Sequence, residues 1–324
     1  MTIAIILFII GLVALIKGGD WFVDGATGIA KRFHIPELLI GATIVSIGTT
    51  LPEVMVSATS AFSGHGEIAY GNAIGSIICN TSLIAAITIA IKPAKIDKAT
   101  IIKPVCFFTV ATILYSIASY KSGFFPRWFG FVLLAIFVIY MFALIKEAIS
   151  PKSKSLQEDS DHESGEEKAL WLEIVFLILG AALIAVGSKL LVDNGTIIAE
   201  KLGVPEAVIA LTFVALGTSL PELVTAITSL AKGHGALSLG NIIGANLFNL
   251  VLVSGVSIAI SPFSIPESKT VLGVNSSLII DIPVMIAVMS LMIIPALIKG
   301  KLYRFQGVLL LCIYAAFCAL QFLL

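Results

Sequence analysis

The chain is 324 residues long, 58% apolar and 12% charged, and its 20 Lys and Arg balance its 20 Asp and Glu. An average soluble domain carries about 45–50% apolar and about 25% charged residues, so composition excludes a water-soluble globular domain. The balanced charge gives no reason to expect a nucleic-acid partner; the expected surroundings are a lipid bilayer.

Ten apolar runs are long enough to cross a hydrocarbon core of about 30 Å, which takes about 20 residues of helix. They cover 3–30, 36–62, 67–91, 100–119, 124–149, 169–202, 205–231, 236–260, 277–298 and 303–324. Lipid leaves unpaired backbone groups unsatisfied, so the spans are expected to be helices and the fold an all-α integral membrane protein. The first run starts near Met1 with no basic residues before it and no small-residue cleavage pattern after it, and reads as a membrane helix, not a removed signal. Gly18-Gly19-Asp20 in this run and Gly187-Ser188-Lys189 in the sixth are small-residue stretches that permit sliding contact. Lys17, Asp20, Asp24, Lys189 and Asp193 read as local helix pairs or snorkelling ends.

The second run contains Ser46 and then Gly48-Thr49-Thr50-Leu51-Pro52-Glu53, and the seventh contains Ala215 and then Gly217-Thr218-Ser219-Leu220-Pro221-Glu222. A carboxylate in the middle of an apolar helix costs several kcal/mol unless a cation or hydrogen bonds compensate it. Lys17 and Lys189 are the deep basic residues, and each has a nearer acid, Asp20 and Asp193. Glu53 and Glu222 are therefore the leading candidates for cation ligands. Pro52 and Pro221 lack the N–H that the Gly48 and Gly217 carbonyls would accept, so each helix is expected to break one turn before its acid. The carbonyls and hydroxyls of Thr49, Thr50, Thr218 and Ser219 then form an oxygen-rich stretch.

The third and eighth runs add Ser76, Asn80 and Asn249, with Gly71, Gly75, Gly240 and Gly244 as small-residue packing stripes. His65 and His234 sit in Gly-His-Gly turns and read as short connections. Asp281, before Pro283, reads as the cap of the ninth helix. Cys79, Cys106, Cys312 and Cys318 all fall inside apolar runs and read as filler, not a disulfide framework. The acidic stretch 150–168 lacks the glutamate and glycine spacing of an EF-hand loop and reads as a solvated linker.

Displacing the sequence by 169 positions aligns 23–80 with 192–249 without a gap, and 25 of the 58 pairs are identical. Five crossings separate each position from its counterpart, so the second copy is inverted in the membrane. The expected organisation is a first five-helix repeat at 1–149, an inner-side linker at 150–168 and a second, inverted five-helix repeat at 169–324. Inverted repeats with interrupted helices are typical of secondary transporters, whose substrates bind near the midplane. With both termini outside, the inner loops hold fourteen Lys and Arg against four in the outer loops, as the positive-inside rule requires.

Calcium takes six to eight hard oxygen ligands, and two bidentate glutamates with two threonine carbonyls would supply six. The paired Gly-Thr-(Ser/Thr)-Leu-Pro-Glu signatures, with Gly71–Asn80 and Gly240–Asn249, resemble the two alpha-repeats of the calcium/cation antiporter superfamily, specifically prokaryotic sodium/calcium exchangers. The resemblance implies ten helices around four ion sites, with the first and sixth helices sliding to alternate access. It implies that Glu53 and Glu222 ligate Ca2+ and Na+, that Thr49 and Thr218 lend backbone oxygens, and that Thr50 and Ser219 ligate Na+. It also implies carbonyl ligands at Ser46 and Ala215. Ser76 matches a serine ligand of the family; its counterpart here is Ala245, which has no hydroxyl. Asn249 stands where some relatives carry aspartate.

The implied activity is Na+/Ca2+ antiport through a midplane site between two glutamates, with no cofactor and no enzymatic role, in a prokaryotic plasma membrane. A proton/calcium antiporter of the same superfamily has the same helix pattern, although the hydroxyls beside each glutamate favour sodium. A passive cation channel and an intramembrane enzyme with paired carboxylates are remoter alternatives; the chain lacks a His-Glu-x-x-His zinc motif.

Overall fold

A computed structural model describes residues 1–33, 35–93, 96, 98–148, 169–202, 217–266, 270–271 and 273–323. Its helices are α1 (Thr2–Arg32), α2 (Glu37–Phe62), α3 (Gly66–Ile91), α4 (Lys98–Ser122) and α5 (Arg127–Ala148), then α6 (Leu170–Lys201), α7 (Leu220–Ala231), α8 (Gly235–Ile260), α9 (Ser277–Lys299) and α10 (Arg304–Leu323). Among the described residues, nine are long and apolar enough to span a membrane, and α7 is the shorter tenth. Two short antiparallel ladders accompany them. One pairs Phe124 with Ser264 and Phe125 with Phe263, and the other pairs Thr270 with Asn275 and Val271 with Val274.

Two compact units draw helices from both halves of the sequence. One comprises Met1–Thr49 and Leu144–Asn241, the other Thr50–Ala143 and Ile242–Leu324.

In the first unit, glycines let α1 and α6 approach backbone to backbone. A Cβ at Gly11 would lie 2.9 Å from Gly187 O, one at Gly18 2.8 Å from Leu183 Cβ and one at Gly25 2.5 Å from Leu177 N. The seven-residue spacing of Gly11, Gly18 and Gly25 repeats in Gly180 and Gly187, keeping one small-residue seam turned toward the partner. Gly18 and Gly187 thus hold α1 to α6, while Gly19 faces Val224 and Thr228 of α7. Leu15, Phe22, Val23, Ala26, Ile29 and Ala30 pack with Ile40, Val45, Ile184 and Leu237 in the core of this unit.

Polar pairs reinforce it. Arg32 Nε donates to Glu173 Oε2 at 3.1 Å, and His234 Nδ1 lies 2.7 Å from Glu37 Oε1. Lys189 and Asp193 form the expected helix pair at 3.1 Å. Asp20 and Asp24, however, face Lys232 Nζ, at 3.5 and 2.8 Å; the partner lies in another helix's end, beyond any local spacing.

The second unit has an aromatic core. Tyr115 packs at a tilt on Phe125 with centroids 4.7 Å apart, and Phe137 meets Phe248 edge-on at 5.1 Å. Gly307 brings α10 against the backbone of Ala86 and Ala90 in α3. The turns after α2 and α7 carry Gly64 and Gly233 at φ 84° and 88°, a left-handed conformation that glycine adopts without strain; His65 and His234 follow in these short connections, as expected. Asp281 corrects the expectation of a helix cap. It lies inside the helical run, its carboxylate accepts from Gln321 Nε2 at 2.8 Å, and the residues from Ser277 onward already form a π-type turn.

Candidate functional site

The ligand candidates distribute over the two units. In the first unit, residues 217–219 form a turn and α7 begins at Leu220. Pro221 falls in its first turn, where the missing N–H removes no helical bond. Glu222 occupies the same turn, at the positive end of the helix dipole. It is 0% exposed, and neither carboxylate oxygen has a hydrogen-bond partner among the described residues. The Thr49 side chain stands beside it, but that hydroxyl is turned to Asn241 Oδ1 at 3.2 Å. Ser219 is buried and its hydroxyl lacks a described partner, whereas Thr218 is half-buried. Ala215 lies outside the described residues.

Ser46 and Thr49 are clamped by one side chain. The Ser46 hydroxyl is within 2.7 Å of Gly41 O, 2.9 Å of Asn241 O and 3.3 Å of Asn241 Oδ1, so Asn241 holds the two residues whose carbonyls are ligand candidates. The clamp requires close helices. A Cβ at Gly41 would run into Leu237 O, and one at Gly240 into Leu38 O. Gly240 therefore packs as expected of the glycine stripes, while no described residue lies within 4 Å of a Cβ at Gly71 or Gly75.

In the second unit, Pro52 sits inside the helical stretch Ser46–Phe62, so the ladder loses one bond while the helix runs on. Glu53 follows, 0% exposed. Asn72 Nδ2 donates to Glu53 O at 3.2 Å and to Ser57 Oγ at 2.8 Å, tying α3 to α2 at the acid. Thr50 is buried with its hydroxyl unpartnered among the described residues. Ser76 and Ala245 are also buried.

Asn80 and Asn249, equivalent positions of the repeat, each open a π-type turn, Asn80–Ala85 and Asn249–Val253. Such turns insert a residue into the α-helical ladder and occur frequently at functional sites. Both side chains are 0% exposed, and neither amide oxygen nor nitrogen has a described partner. Beside Asn80, a polar knot fixes the register. Thr81 Oγ1 receives Asn246 Nδ2 at 2.8 Å, and both lie near Met289 Sδ, at 3.1 and 3.2 Å.

Buried polar groups normally find partners, since an unpaired one costs roughly 1–3 kcal/mol. Among the described residues without such partners are the ligand candidates Thr50, Asn80, Ser219, Glu222 and Asn249, alongside buried hydroxyls outside the candidate set such as those of Tyr70 and Tyr115; the candidates' hydroxyl, amide and carboxylate oxygens are suited to a hard cation. Asn72, Asn241 and Ser57 are side chains in contact with the candidate residues or with one another that composition and burial logic missed. A signal existed: the Gly-Asn pairs at 71–72 and 240–241 are identical across the repeat, yet a neutral side chain one turn from a ligand candidate announces no charge anomaly.

The chain matches the family described as sodium/calcium exchanger protein over residues 3–146 and 172–323. It is 30% identical over 359 residues to the sodium/calcium exchanger MaX1 of Methanosarcina acetivorans, covering 99% of each chain. It is 32% identical over 310 residues to the uncharacterised membrane protein MJ0091 of Methanocaldococcus jannaschii, covering 95% of this chain and 94% of that protein. Its fold is similar to that of the sodium-calcium exchanger NCX_Mj soaked with Na+ and Ca2+, with a TM-score of 0.81, 29% identity and 98% coverage of both chains.

Proposed function

The chain belongs to the sodium/calcium exchanger protein family, an integral membrane antiporter fold of two inverted five-helix repeats, and from that premise we propose that it exchanges Ca2+ for Na+ by alternating access. Glu53 and Glu222 are the charged ligands. Thr49 and Thr218 lend carbonyls, with Ser46 and Ala215 as further carbonyl donors; Thr50, Ser219, Ser76, Asn80 and Asn249 contribute polar side chains, and Ala245 lines the site. The repeats span 1–149 and 169–324 around a linker at 150–168, with both termini outside a prokaryotic plasma membrane.

One observation carries this reading. Glu222, Asn80, Asn249, Thr50 and Ser219 are all buried with polar side-chain atoms that no described residue satisfies. Burial without partners is unfavourable in the absence of a ligand, and a partly dehydrated Ca2+ or Na+ supplies the missing interaction. Asn72 and Asn241 then act as positioning residues, holding Glu53 and the Ser46–Thr49 stretch.

The deciding experiment is calcium uptake into proteoliposomes with an outward sodium gradient, an outward proton gradient or neither. Uptake driven by the sodium gradient supports the proposal. Uptake driven by protons alone replaces it with proton/calcium antiport, and uptake equal in all three replaces it with a passive channel.

A further inference from the structure

One end of the second unit carries a strong charge surplus that the exchange reaction does not use. In sequence, the segments 91–103 and 298–304 together hold seven Lys and Arg, at 92, 95, 98, 103, 299, 301 and 304, against one acid, Asp97; Lys95 and Asp97 both lie outside the described residues. The structure brings the two segments together: Ile96 N donates to Gly300 O at 2.9 Å, Lys98 Nζ to Ile298 O at 2.5 Å and an Arg304 guanidinium nitrogen to Ile91 O at 3.1 Å. Lys299 and Lys301 flank the exposed Tyr303 ring, with Nζ 5.7 and 5.3 Å from its centroid.

The carbonyl contacts of Lys98 and Arg304 orient these two cations without neutralising them. In the first unit, by contrast, Arg32, Lys189 and Lys232 each have a carboxylate within 3.1 Å. The collar also has an apolar skirt, with Ile91, Ile298 and Phe305 exposed at 61%, 66% and 73%. A cationic collar over exposed aliphatic and aromatic surface complements an amphiphile with an anionic head and acyl tails, and a Tyr beside Lys at a helix end is an interfacial arrangement.

We propose that this collar, formed by Lys92, Lys98, Lys299, Lys301 and Arg304 around Tyr303, binds the headgroup of an anionic phospholipid whose tails lie along Ile91, Ile298 and Phe305. The apolar skirt selects a lipid over a free phosphate. Each cation near an anionic surface contributes about fivefold in affinity.

The test uses the full-length, delipidated protein in neutral detergent, titrated with phosphatidylglycerol, phosphatidylcholine or inorganic phosphate and read by native mass spectrometry. Phosphatidylglycerol is expected to be retained in preference to phosphatidylcholine. Lys299→Gln/Lys301→Gln should weaken that retention about 25-fold, while Lys121→Gln/Arg127→Gln, an equal charge change outside the collar, leaves it unchanged. Should the first pair fail to fold, Lys92→Gln/Lys299→Gln carries the same expectation. Equal retention of the two lipids, an equal loss in the control pair, or inorganic phosphate displacing the lipid would each overturn the proposal.

Discussion

Replacing Glu222 with Gln separates binding from folding. The side chain is 0% exposed, and its carboxylate oxygens have no described hydrogen-bond partner; the neighbouring Thr49 hydroxyl is neutral and turned to Asn241, so it does not replace the lost charge. Removing one partner of a buried ion contact costs about 3–5 kcal/mol, roughly 200- to 5,000-fold in calcium affinity. The same burial makes the ionised carboxylate unfavourable when no ion is bound. Glu222→Gln should therefore fold and melt, in ion-free detergent, at or above the wild-type temperature. Added Ca2+ should raise the melting temperature of the wild type alone, and proteoliposome uptake by the variant should fall to background. A folded Glu222→Gln protein with near wild-type half-saturation for Ca2+, or with an undiminished thermal shift, would refute the reasoning.

Three further outcomes follow from the contacts. Asn241→Ala removes the nearer of two acceptors for Thr49 and one of those for Ser46; at about 1 kcal/mol per lost bond, it should raise the Ca2+ concentration for half-maximal uptake several-fold while maximal uptake changes less, and an unchanged half-saturation excludes the positioning role. Gly41→Ala drives a Cβ against Leu237 O and to 2.8 Å from Asn241 N, backbone that cannot swing aside, so thermal denaturation should show about 1–3 kcal/mol of destabilisation. Lys232→Gln breaks a partly exposed pair with Asp20 and Asp24 and should cost less than about 1 kcal/mol; a larger loss by the same measurement contradicts a surface role.

Hydropathy located the helices closely because membrane burial is written residue by residue. The expected 3–30, 236–260 and 277–298 are observed as Thr2–Arg32, Gly235–Ile260 and Ser277–Lys299. The buried acids were legible for the same reason: a carboxylate at Glu53 or Glu222 violates its surroundings. The π-type turns at Asn80 and Asn249 were not, since one extra residue in a turn hardly alters an apolar pattern. Nor were the contacts of small residues. Gly18 and Gly187 invited a reading as sliding surfaces toward a facing bundle, yet a Cβ at either would meet the other helix of the α1–α6 pair. A cysteine at Gly18 or Gly187 thus reports on that pair, and Gly19, against Val224 and Thr228, is the position that reports on α7. Lys232 likewise found Asp20 and Asp24 more than 200 positions away, a distance no helical periodicity encodes.

The neutral asparagines at 80 and 249 bear on energetics, because they leave Glu53 and Glu222 as the charged ligands in the proposed set. With both ionised, these ligands carry −2, which one Ca2+ brings to zero. Three Na+ bring them to +1, whereas two leave them neutral, so the sodium count decides whether membrane potential enters the cycle. One net charge crossing the membrane is worth about 2.3 kcal/mol per 100 mV, nearly fifty-fold in the equilibrium calcium ratio. Ala245, in the place equivalent to Ser76, removes one hydroxyl from the second repeat; the carbonyls of Ser46 and Ala215 remain as uncharged members of the proposed set. We expect three Na+ per Ca2+. In proteoliposomes clamped by a potassium gradient with valinomycin, sodium-dependent calcium movement should then reverse at an ion gradient that shifts with potential by that factor. A reversal condition unchanged over 100 mV, with vesicle tightness verified, would establish two Na+ per Ca2+ and leave the paired glutamates neutral in both loaded states.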